Sequence, residues 1–173
     1  EVRIFNPVHK YINRIYFNSR DHRKIAVIDG CCAYTGGLNI GDEYANIVNR
    51  LGHWKDNGVC LEGEGAWGLA SHFIHMWEML GGTLDNEHDY YHPLESRPGG
   101  GWCQPFADGP INNPDNPAED VFLQCIANAH HYVWLTTPYF AVEDSVVRAL
   151  CLAADSGVDV RLLLPGIPDH KYT

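Results

Sequence analysis

Short runs of apolar and β-branched residues alternate along the chain with longer stretches in which apolar residues recur every three or four positions. The short runs predict β-strands, and they lie at residues 2–5, 24–28, 33–35, 58–61, 132–136 and 158–164. The longer stretches predict amphipathic helices, and they lie at residues 65–80, 117–129 and 145–155. Strands that alternate with helices are typical of an α/β fold.

Residues that commonly flank helices stand at the predicted helix ends. Glycines at 81, 82 and 157 follow the first and last helices, where a left-handed C-cap is common, and Asp144 or Ser145 is the expected N-cap of the last helix. Between residues 83 and 116 the periodicity fails, and this segment holds five of the ten prolines and three consecutive glycines. It therefore predicts a long surface loop or an interdomain linker.

Two segments of the chain resemble each other. Residues 2–7 read VRIFNP and residues 160–165 read VRLLLP, so both predict a strand that ends at a proline. If this is an internal repeat, residues 1–82 form the later part of a first half and residues 117–173 the start of a second half, with 83–116 as the linker. The chain would then be an internal fragment of a longer protein.

Charge and cysteine spacing exclude several classes of function. The formal charge is −10, which disfavours a protein that coats nucleic acid. The charge is unevenly spread, because residues 1–60 carry eight basic and six acidic side chains while the remainder carries four and sixteen. An anionic ligand therefore fits best near the start of the chain. The six cysteines show no C-x-x-C spacing, so we expect neither a zinc site nor a disulfide framework.

The most informative stretch fits the pattern H-x-K-x4-D-x6-G-G-x-N. With a usage of roughly one in twenty for each of the fixed letters, a chance match in a chain of this length has a probability on the order of 10⁻⁶ to 10⁻⁵. Asp29 ends the apolar run of the strand predicted at 24–28, and we assign its carboxylate a positioning role. The fixed positions are His22, Lys24, Asp29, Gly36, Gly37 and Asn39.

The spacing of this pattern indicates a phosphate site. Side chains two apart at a strand entry project to the same side, so His22 and Lys24 can reach one small target. An imidazole attacks phosphorus or transfers protons near neutral pH, and an ammonium group binds the non-bridging oxygens. The turn at Gly36 and Gly37 lets the backbone approach an anion, and the Asn39 amide can donate a further hydrogen bond.

These residues resemble the HKD motif of the phospholipase D superfamily, and the residues around them resemble its branch of bacterial cardiolipin synthases. The resemblance implies a phospholipase D-type α/β fold, in which a mixed sheet is flanked by helices on both faces as an α-β-α sandwich. It covers most of the chain outside 83–116. The segments that carry the likeness to this branch are 18–24, 39–44, 54–56, 137–140 and 156–169.

The resemblance also implies phosphatidyl transfer in two steps, without a metal or another cofactor. One motif histidine attacks the phosphodiester of a phosphatidylglycerol and glycerol leaves. A hydroxyl of a second phosphatidylglycerol then takes the phosphatidyl group from the histidine and gives cardiolipin. His22 resembles the nucleophile, and Lys24, Gly37 and Asn39 resemble the phosphate-binding residues. Asp56 falls where relatives carry an acidic residue that orients the motif histidine.

Three further residues complete the candidate site. The resemblance counts Asp29 with His22 and Lys24 among the catalytic residues. Glu43 and Tyr44 follow the motif closely enough to line the pocket, although they equally well begin a short helix.

The chain departs from this family in carrying one motif where relatives carry two. The string Asp169-His170-Lys171 has no residue between histidine and lysine, so it is not a second motif. We expect the other half-site to come from a missing second half or from a second copy in a homodimer. The isolated fragment is then expected to be inactive.

The resemblance sets the expected partners and location. They are phosphatidylglycerol or another anionic phospholipid, and a membrane surface reached through parts absent from this chain, but no nucleic acid. We expect the catalytic part at the cytoplasmic side of a bacterial cell membrane, and the fragment itself to be soluble, because no run of ~18 apolar residues is present. Two alternatives remain: a phospholipase D or phosphodiesterase that hydrolyses its substrate, and a phosphate-binding half-site that is catalytically incomplete.

Overall fold

The structure is a computed structural model that describes residues 1–6, 21–50, 52–92, 101–109 and 115–167. The chain divides into two units, residues 1–107 and residues 108–173. The boundary falls within the segment predicted as a linker. The assignment of the two units to two halves of a repeated protein stays a prediction.

The first unit contains a three-stranded antiparallel sheet and one long helix. The strands are β1 (Ile25–Ile28), β2 (Cys32–Gly36) and β3 (Gly58–Glu62), in the order β1-β2-β3. The helix is α1 (Gly65–Met79), and it ends in a left-handed glycine at Gly81, as predicted. The Gly82 N–H donates to the Trp77 carbonyl and the Gly81 N–H to the Glu78 carbonyl, which is the paired pattern of a Schellman C-cap.

A tight turn at Asp29 and Gly30 joins β1 to β2. Both residues have positive φ, +52° and +66°, and the Cys31 N–H donates to the Ile28 carbonyl at 3.2 Å. Positive φ at both central residues defines the type I′ turn, which matches the twist of a two-stranded hairpin and favours an Asp-Gly sequence. Gly30 is also required sterically, because a Cβ there would lie against the Tyr90 carbonyl oxygen.

The core of the first unit lies between α1 and one face of the sheet. Ala33 and Ala66 are fully buried, and their small side chains let the helix approach the sheet closely. Alternate strand residues complete this face, which is the period of two expected for a sheet with one buried side. They are Ile25, Val27 and Leu61.

Part of the segment predicted as a linker packs on α1. The Tyr91 ring contacts Trp67 edge-on at 5.1 Å between centroids. Pro105 lies over Gly68, where a Cβ would be 2.7 Å from the proline ring. A short 3₁₀ helix, Glu87–Tyr90, precedes these contacts.

The second unit is built from two helices and a parallel pair of strands. In chain order they are α2 (Pro117–Ala127), β4 (Tyr132–Thr136), α3 (Asp144–Asp155) and β5 (Asp159–Leu163). Both helices pack on the same side of the strand pair around Ile126, Val146 and Leu150. The described part of the chain contains no helix that is long and apolar enough to cross a bilayer.

The mixed α/β class is confirmed, and the bounds of the predicted helices, and of the strands after residue 23, agree with the structure within two residues. In the described residues the helices pack on one face of each strand group, and the strands form two groups. Two expectations were wrong. Residues 2–5 form no strand, because they pair with no strand in the described residues, and Val2 and Ile4 stay largely exposed. The N-cap of α3 is Glu143, while the Ser145 hydroxyl donates to Glu119 of α2.

Candidate functional site

The register of the sheet brings three separate segments to one edge. Ile25 pairs with Thr35, and Gly36 pairs with Gly58. Because both strand pairs are antiparallel, the start of β1, the end of β2 and the start of β3 meet at the same edge. Lys24, Gly37 and Asp56 lie one or two residues beyond these strand ends. Lys24 and Gly37 of the motif thus lie at the same edge as Asp56.

Asp29 lies at the opposite edge of the sheet. It occupies the first central position of the turn after β1, four strand residues away from Lys24. At about 3.3 Å per strand residue, that separation is roughly 13 Å or more. The structure therefore places Asp29 as a turn residue, and its catalytic role stays a prediction.

The backbone around His22 is fastened by an ion pair between its two neighbours. The Arg23 side chain donates to both carboxylate oxygens of Asp21 at 2.8 Å, and the Arg23 backbone N–H donates to Asp21 Oδ1 at 3.0 Å. The side-chain hydrogen bond from Arg23 lowers the pKa of Asp21, and the same bond raises the pKa of Arg23. His22 itself is exposed. Lys24 donates from Nζ to the His22 carbonyl at 2.6 Å, which leaves two of its three ammonium protons for a ligand.

A cleft lies beside this segment, but His22 and Lys24 do not line it. It has a volume of about 400 Å³ and is lined by Asp21, Arg23 and Ile25 on one side and by residues of α1 on the other. His22 and Lys24 alternate with these residues along the chain and do not line the cleft. Alternation along an extended segment puts the two sets on opposite sides. The motif therefore faces away from the cleft.

The two motif glycines make room for residues 56–58. A Cβ at Gly36 would lie 2.6 Å from the Asn57 carbonyl oxygen, and a Cβ at Gly37 would lie 2.5 Å from Asp56 Oδ1. The Gly37 N–H also points to the Asn57 carbonyl at 3.4 Å. The close approach that the structure shows here is between two segments of the chain. An approach of this turn to an anion stays a prediction.

The Asp56 carboxylate sits over Gly37 with two hydrogen-bond donors. The Asn57 N–H donates to Oδ1 at 2.8 Å, and the Trp54 indole N–H points to Oδ2 at 3.4 Å. In the described residues its partners do not include His22, so the orienting contact between this carboxylate and the imidazole stays a prediction. A carboxylate has about four acceptor positions, so two remain for such a contact.

Asn39 and Tyr44 form one side of the same edge. The Asn39 amide donates to the Tyr44 hydroxyl at 2.8 Å, and one N–H of that amide stays available for a ligand. Tyr44 is half-buried. Residues 41–47 form consecutive turns and no helix, so Glu43 and Tyr44 do not begin the short helix considered as an alternative. A role of these two residues in lining the pocket stays a prediction. The Glu43 carboxylate lies beside Gly41, 3.2 Å from the position of a Cβ there.

Two further residues connect these parts: Trp54, which entered the sequence analysis only within the resemblance at 54–56, and Asn46, which it did not single out. The Trp54 ring meets Tyr44 edge-on, with 4.7 Å between ring centroids. The Asn46 side chain binds both the N–H and the carbonyl of Trp54, at 2.6 Å and 3.0 Å. The positive φ of Asn46, +58°, gives a structural role to an asparagine that no motif contains. An asparagine eight residues before a half-buried tryptophan is too weak a sequence signal to find in advance.

Within the described ranges, no group of three or more histidine, cysteine, aspartate or glutamate residues gathers in a way that could hold a metal ion.

The chain is similar in sequence to known proteins. Residues 122–173 match the family model described as "Cardiolipin synthase, PLD-like domain". The chain is 36% identical over 99% of its length to a cardiolipin synthase of Alkalihalophilus pseudofirmus and covers 34% of that protein. It is 38% identical over 96% of its length to cardiolipin synthase 2 of Bacillus anthracis and covers 32% of it. An uncharacterized protein of Streptococcus mutans is 35% identical over 99% of the chain, which covers 37% of it.

No solved structure matches the chain. The chain spans about a third of the length of the relatives it matches, between 32% and 37% for those three. Over nearly its whole length the chain is similar to bacterial cardiolipin synthases, and the family model that matches residues 122–173 describes a phospholipase D-like domain.

Proposed function

We propose that the complete polypeptide that carries this sequence transfers a phosphatidyl group from one phosphatidylglycerol to a hydroxyl of another, and so forms cardiolipin and glycerol. The observation that carries the proposal is the shared sheet edge, where strand register gathers Lys24, Gly37 and Asp56, with His22 two residues before Lys24 in the chain. The names of the matched relatives support the same reaction.

The chemistry proceeds through a phosphohistidine. In the first step an imidazole nitrogen attacks phosphorus, the bond from phosphorus to the glycerol oxygen breaks, and an acid protonates the leaving glycerol. In the second step a base removes the proton of the acceptor hydroxyl, whose oxygen displaces the histidine. We assign the nucleophile or its acid–base counterpart to His22, and charge neutralisation of the phosphate oxygens to Lys24 and Asn39.

Asp56 and Asp29 receive different roles in this proposal. Asp56 orients the His22 imidazole and stabilises its charged form, as the acid of a catalytic triad does. Asp29 forms the turn that sets the register of β1 against β2 and so acts at a distance from the phosphate. Glu43 and Tyr44 border the pocket, Tyr44 through its bond with Asn39.

The second half-site is part of the proposal. A single histidine cannot both hold the phosphoryl group and protonate the leaving group at the same moment. We therefore assign the second motif to another segment of the complete polypeptide or to a second copy of it. A membrane surface supplies the lipid. Mixing an inactive His22→Ala polypeptide with one inactivated in its second motif restores activity only if sites form between copies.

The test is the product distribution from phosphatidylglycerol vesicles. We expect cardiolipin and glycerol in equal amounts, and loss of both in His22→Ala. The control is His75→Ala, since His75 is an exposed histidine on α1. Phosphate-labelled substrate should leave an acid-labile, base-stable label on the protein. Phosphatidic acid without cardiolipin would show a hydrolase instead, and no lipid product at all would refute the proposal.

A further inference from the structure

Trp54 stands between the two parts of the candidate site. Its indole N–H points to Asp56 Oδ2 at 3.4 Å, and its ring meets the Tyr44 ring edge-on at 4.7 Å. The Tyr44 hydroxyl in turn accepts the hydrogen bond from Asn39 at 2.8 Å. Three consecutive contacts therefore join the amide assigned to the phosphate and the carboxylate assigned to the histidine.

The Asp56 carboxylate is confined on three sides. Gly37 lies beneath it so closely that a Cβ there would be 2.5 Å from Oδ1. The Asn57 N–H binds Oδ1, and the Trp54 indole N–H faces Oδ2. The Asn57 N–H belongs to the next residue in the chain and moves with Asp56. The Trp54 indole is therefore the donor that holds the Asp56 carboxylate against another side chain. Trp54 is half-buried, which limits competition from water for this contact.

The Asn46 side chain holds the backbone of Trp54 with the hydrogen bonds that a neighbouring strand would otherwise make. The Asn46 amide accepts from the Trp54 N–H at 2.6 Å and donates to its carbonyl at 3.0 Å. These are the two bonds that a neighbouring antiparallel strand would supply. Asn46 makes them from a left-handed conformation that asparagine tolerates better than most residues. The tryptophan therefore has a fixed backbone on a segment that belongs to no strand.

We propose that Trp54, fastened by Asn46, is the positioning residue of this site. It fixes the Asp56 carboxylate through the indole N–H. Through the ring of Tyr44 it also fixes the amide of Asn39. This inference rests on the proposed function, because it assigns Trp54 to the same phosphatidyl transfer.

The first experiment removes the indole N–H and keeps an aromatic ring. In the complete polypeptide, Trp54→Phe retains a ring beside Tyr44 and takes away the donor to Asp56. Because a long hydrogen bond to a carboxylate contributes about 1 kcal/mol, we expect kcat for cardiolipin formation to fall about fivefold. KM and the melting temperature should stay near their original values. An unchanged kcat would overturn the proposal, and so would a fall in kcat that follows a loss of folded protein.

The control is the same substitution at a matched tryptophan. The Trp134 indole donates to Asp159 at 3.2 Å, and the Tyr132 ring lies 4.7 Å from it. It therefore has the same two kinds of contact as Trp54, at an exposed position in the other unit. We expect Trp134→Phe to leave kcat unchanged. An equal loss in both variants would mean that the effect at Trp54 is general, and it would contradict a positioning role.

The second experiment observes the contact itself and needs no activity. With ¹⁵N-labelled tryptophan in the complete polypeptide, the indole signal missing from Trp54→Phe identifies Trp54. We expect Asp56→Asn to shift this signal and to leave the Trp134 signal in place, while Asp159→Asn does the reverse. A Trp54 signal that ignores Asp56→Asn would refute the contact. If the wild-type polypeptide makes no lipid product, the proposed function fails, and the indole signals still decide the contact.

Discussion

A series of three glycine-to-alanine substitutions separates the chemical part of the site from its framework. At Gly37 a Cβ would lie 2.5 Å from Asp56 Oδ1, whereas ordinary contact begins at 3.4 Å. The carboxylate must therefore retreat by about 0.9 Å. Gly37 has no positive φ, so alanine fits the backbone, and the flexible end of the aspartate can move without unfolding the sheet. The substitution thus displaces one carboxylate and little else.

The expected loss follows from this displacement. A misplacement of about 1 Å in a catalytic group can cost on the order of a hundredfold in rate. We expect Gly37→Ala to reduce kcat for cardiolipin formation between tenfold and a hundredfold, about 1.4 to 2.7 kcal/mol in the activation barrier. The free energy of unfolding should change by less than about 1 kcal/mol. Product formation from phosphatidylglycerol and urea unfolding measure the two quantities.

The two other glycines are the controls. At Gly58 a Cβ would meet nothing closer than the Thr35 carbonyl at 3.5 Å, so Gly58→Ala should leave both activity and stability near the original values. At Gly36 a Cβ would press on backbone atoms, 2.6 Å from the Asn57 oxygen and 2.9 Å from the Gly58 Cα. Gly36→Ala should therefore destabilise the fold by about 1 to 3 kcal/mol.

A double mutant tests whether Gly37 acts through Asp56. In the Asp56→Ala background the carboxylate is gone, so Gly37→Ala should cause no further loss, and the two effects should be strongly non-additive. Full activity of Gly37→Ala in a folded protein would refute the reasoning, since Asp56 would then not need its position. Additive losses would also refute it.

Substitutions at Gly30, Asp29 and Asp21 test the hairpin and the segment around His22, and Gly63 serves as a control. Gly30→Ala should lower the free energy of unfolding by about 2 to 4 kcal/mol, because its φ is +66° and its Cβ would strike the Tyr90 carbonyl. Gly63 has a φ of +91° and open space around it, so Gly63→Ala should lose only about 1 kcal/mol in the same denaturant titration. Asp29→Asn should keep the rate of phosphatidyl transfer within about twofold of the original, because asparagine also tolerates positive φ. Asp29→Val should lower the free energy of unfolding by about 1 to 2 kcal/mol. A folded but inactive Asp29→Asn would show that the carboxylate has a chemical role. Because Arg23 lowers the pKa of Asp21 from its ordinary value of 3.8, the pair adds stability above that pH and loses it as the pH falls through the lowered value. Asp21→Asn should therefore cost a few tenths of a kcal/mol at pH 7 and less as the pH falls below the ordinary range of an aspartate, as thermal unfolding across this range would show. An equal cost at every pH would exclude the ion pair as its source.

Local signals in the sequence predicted most of the elements. The glycines after α1 and α3 and the apolar stripe of α1 each depend on residues a few positions apart, so their interpretation needs no knowledge of the rest of the fold. The strand expected at residues 2–5 was wrong because a strand needs a partner, and local composition does not say which segment pairs with it.

The candidate site was predictable in its residues and less so in its construction. The motif named His22, Lys24 and Asn39, but it did not say that Gly36 and Gly37 make room for another segment. Contacts of Asn46 with Trp54 join positions eight apart through a loop without periodic structure. Such contacts follow from the path of the loop, which no local pattern encodes.

The spacing of the motif is the spacing of a hairpin. Four residues of β1 lead from Lys24 to Asp29, the Asp-Gly turn reverses the chain, and β2 brings Gly36 back to the edge where Lys24 lies. Side chains alternate between the faces of a sheet, so adding or removing one strand residue would turn Lys24 and its neighbours to the other face. The fixed distances in the motif are therefore required by strand register as much as by chemistry. Asp29 and His22 stand in one motif because the first sets the register on which the position of the second depends.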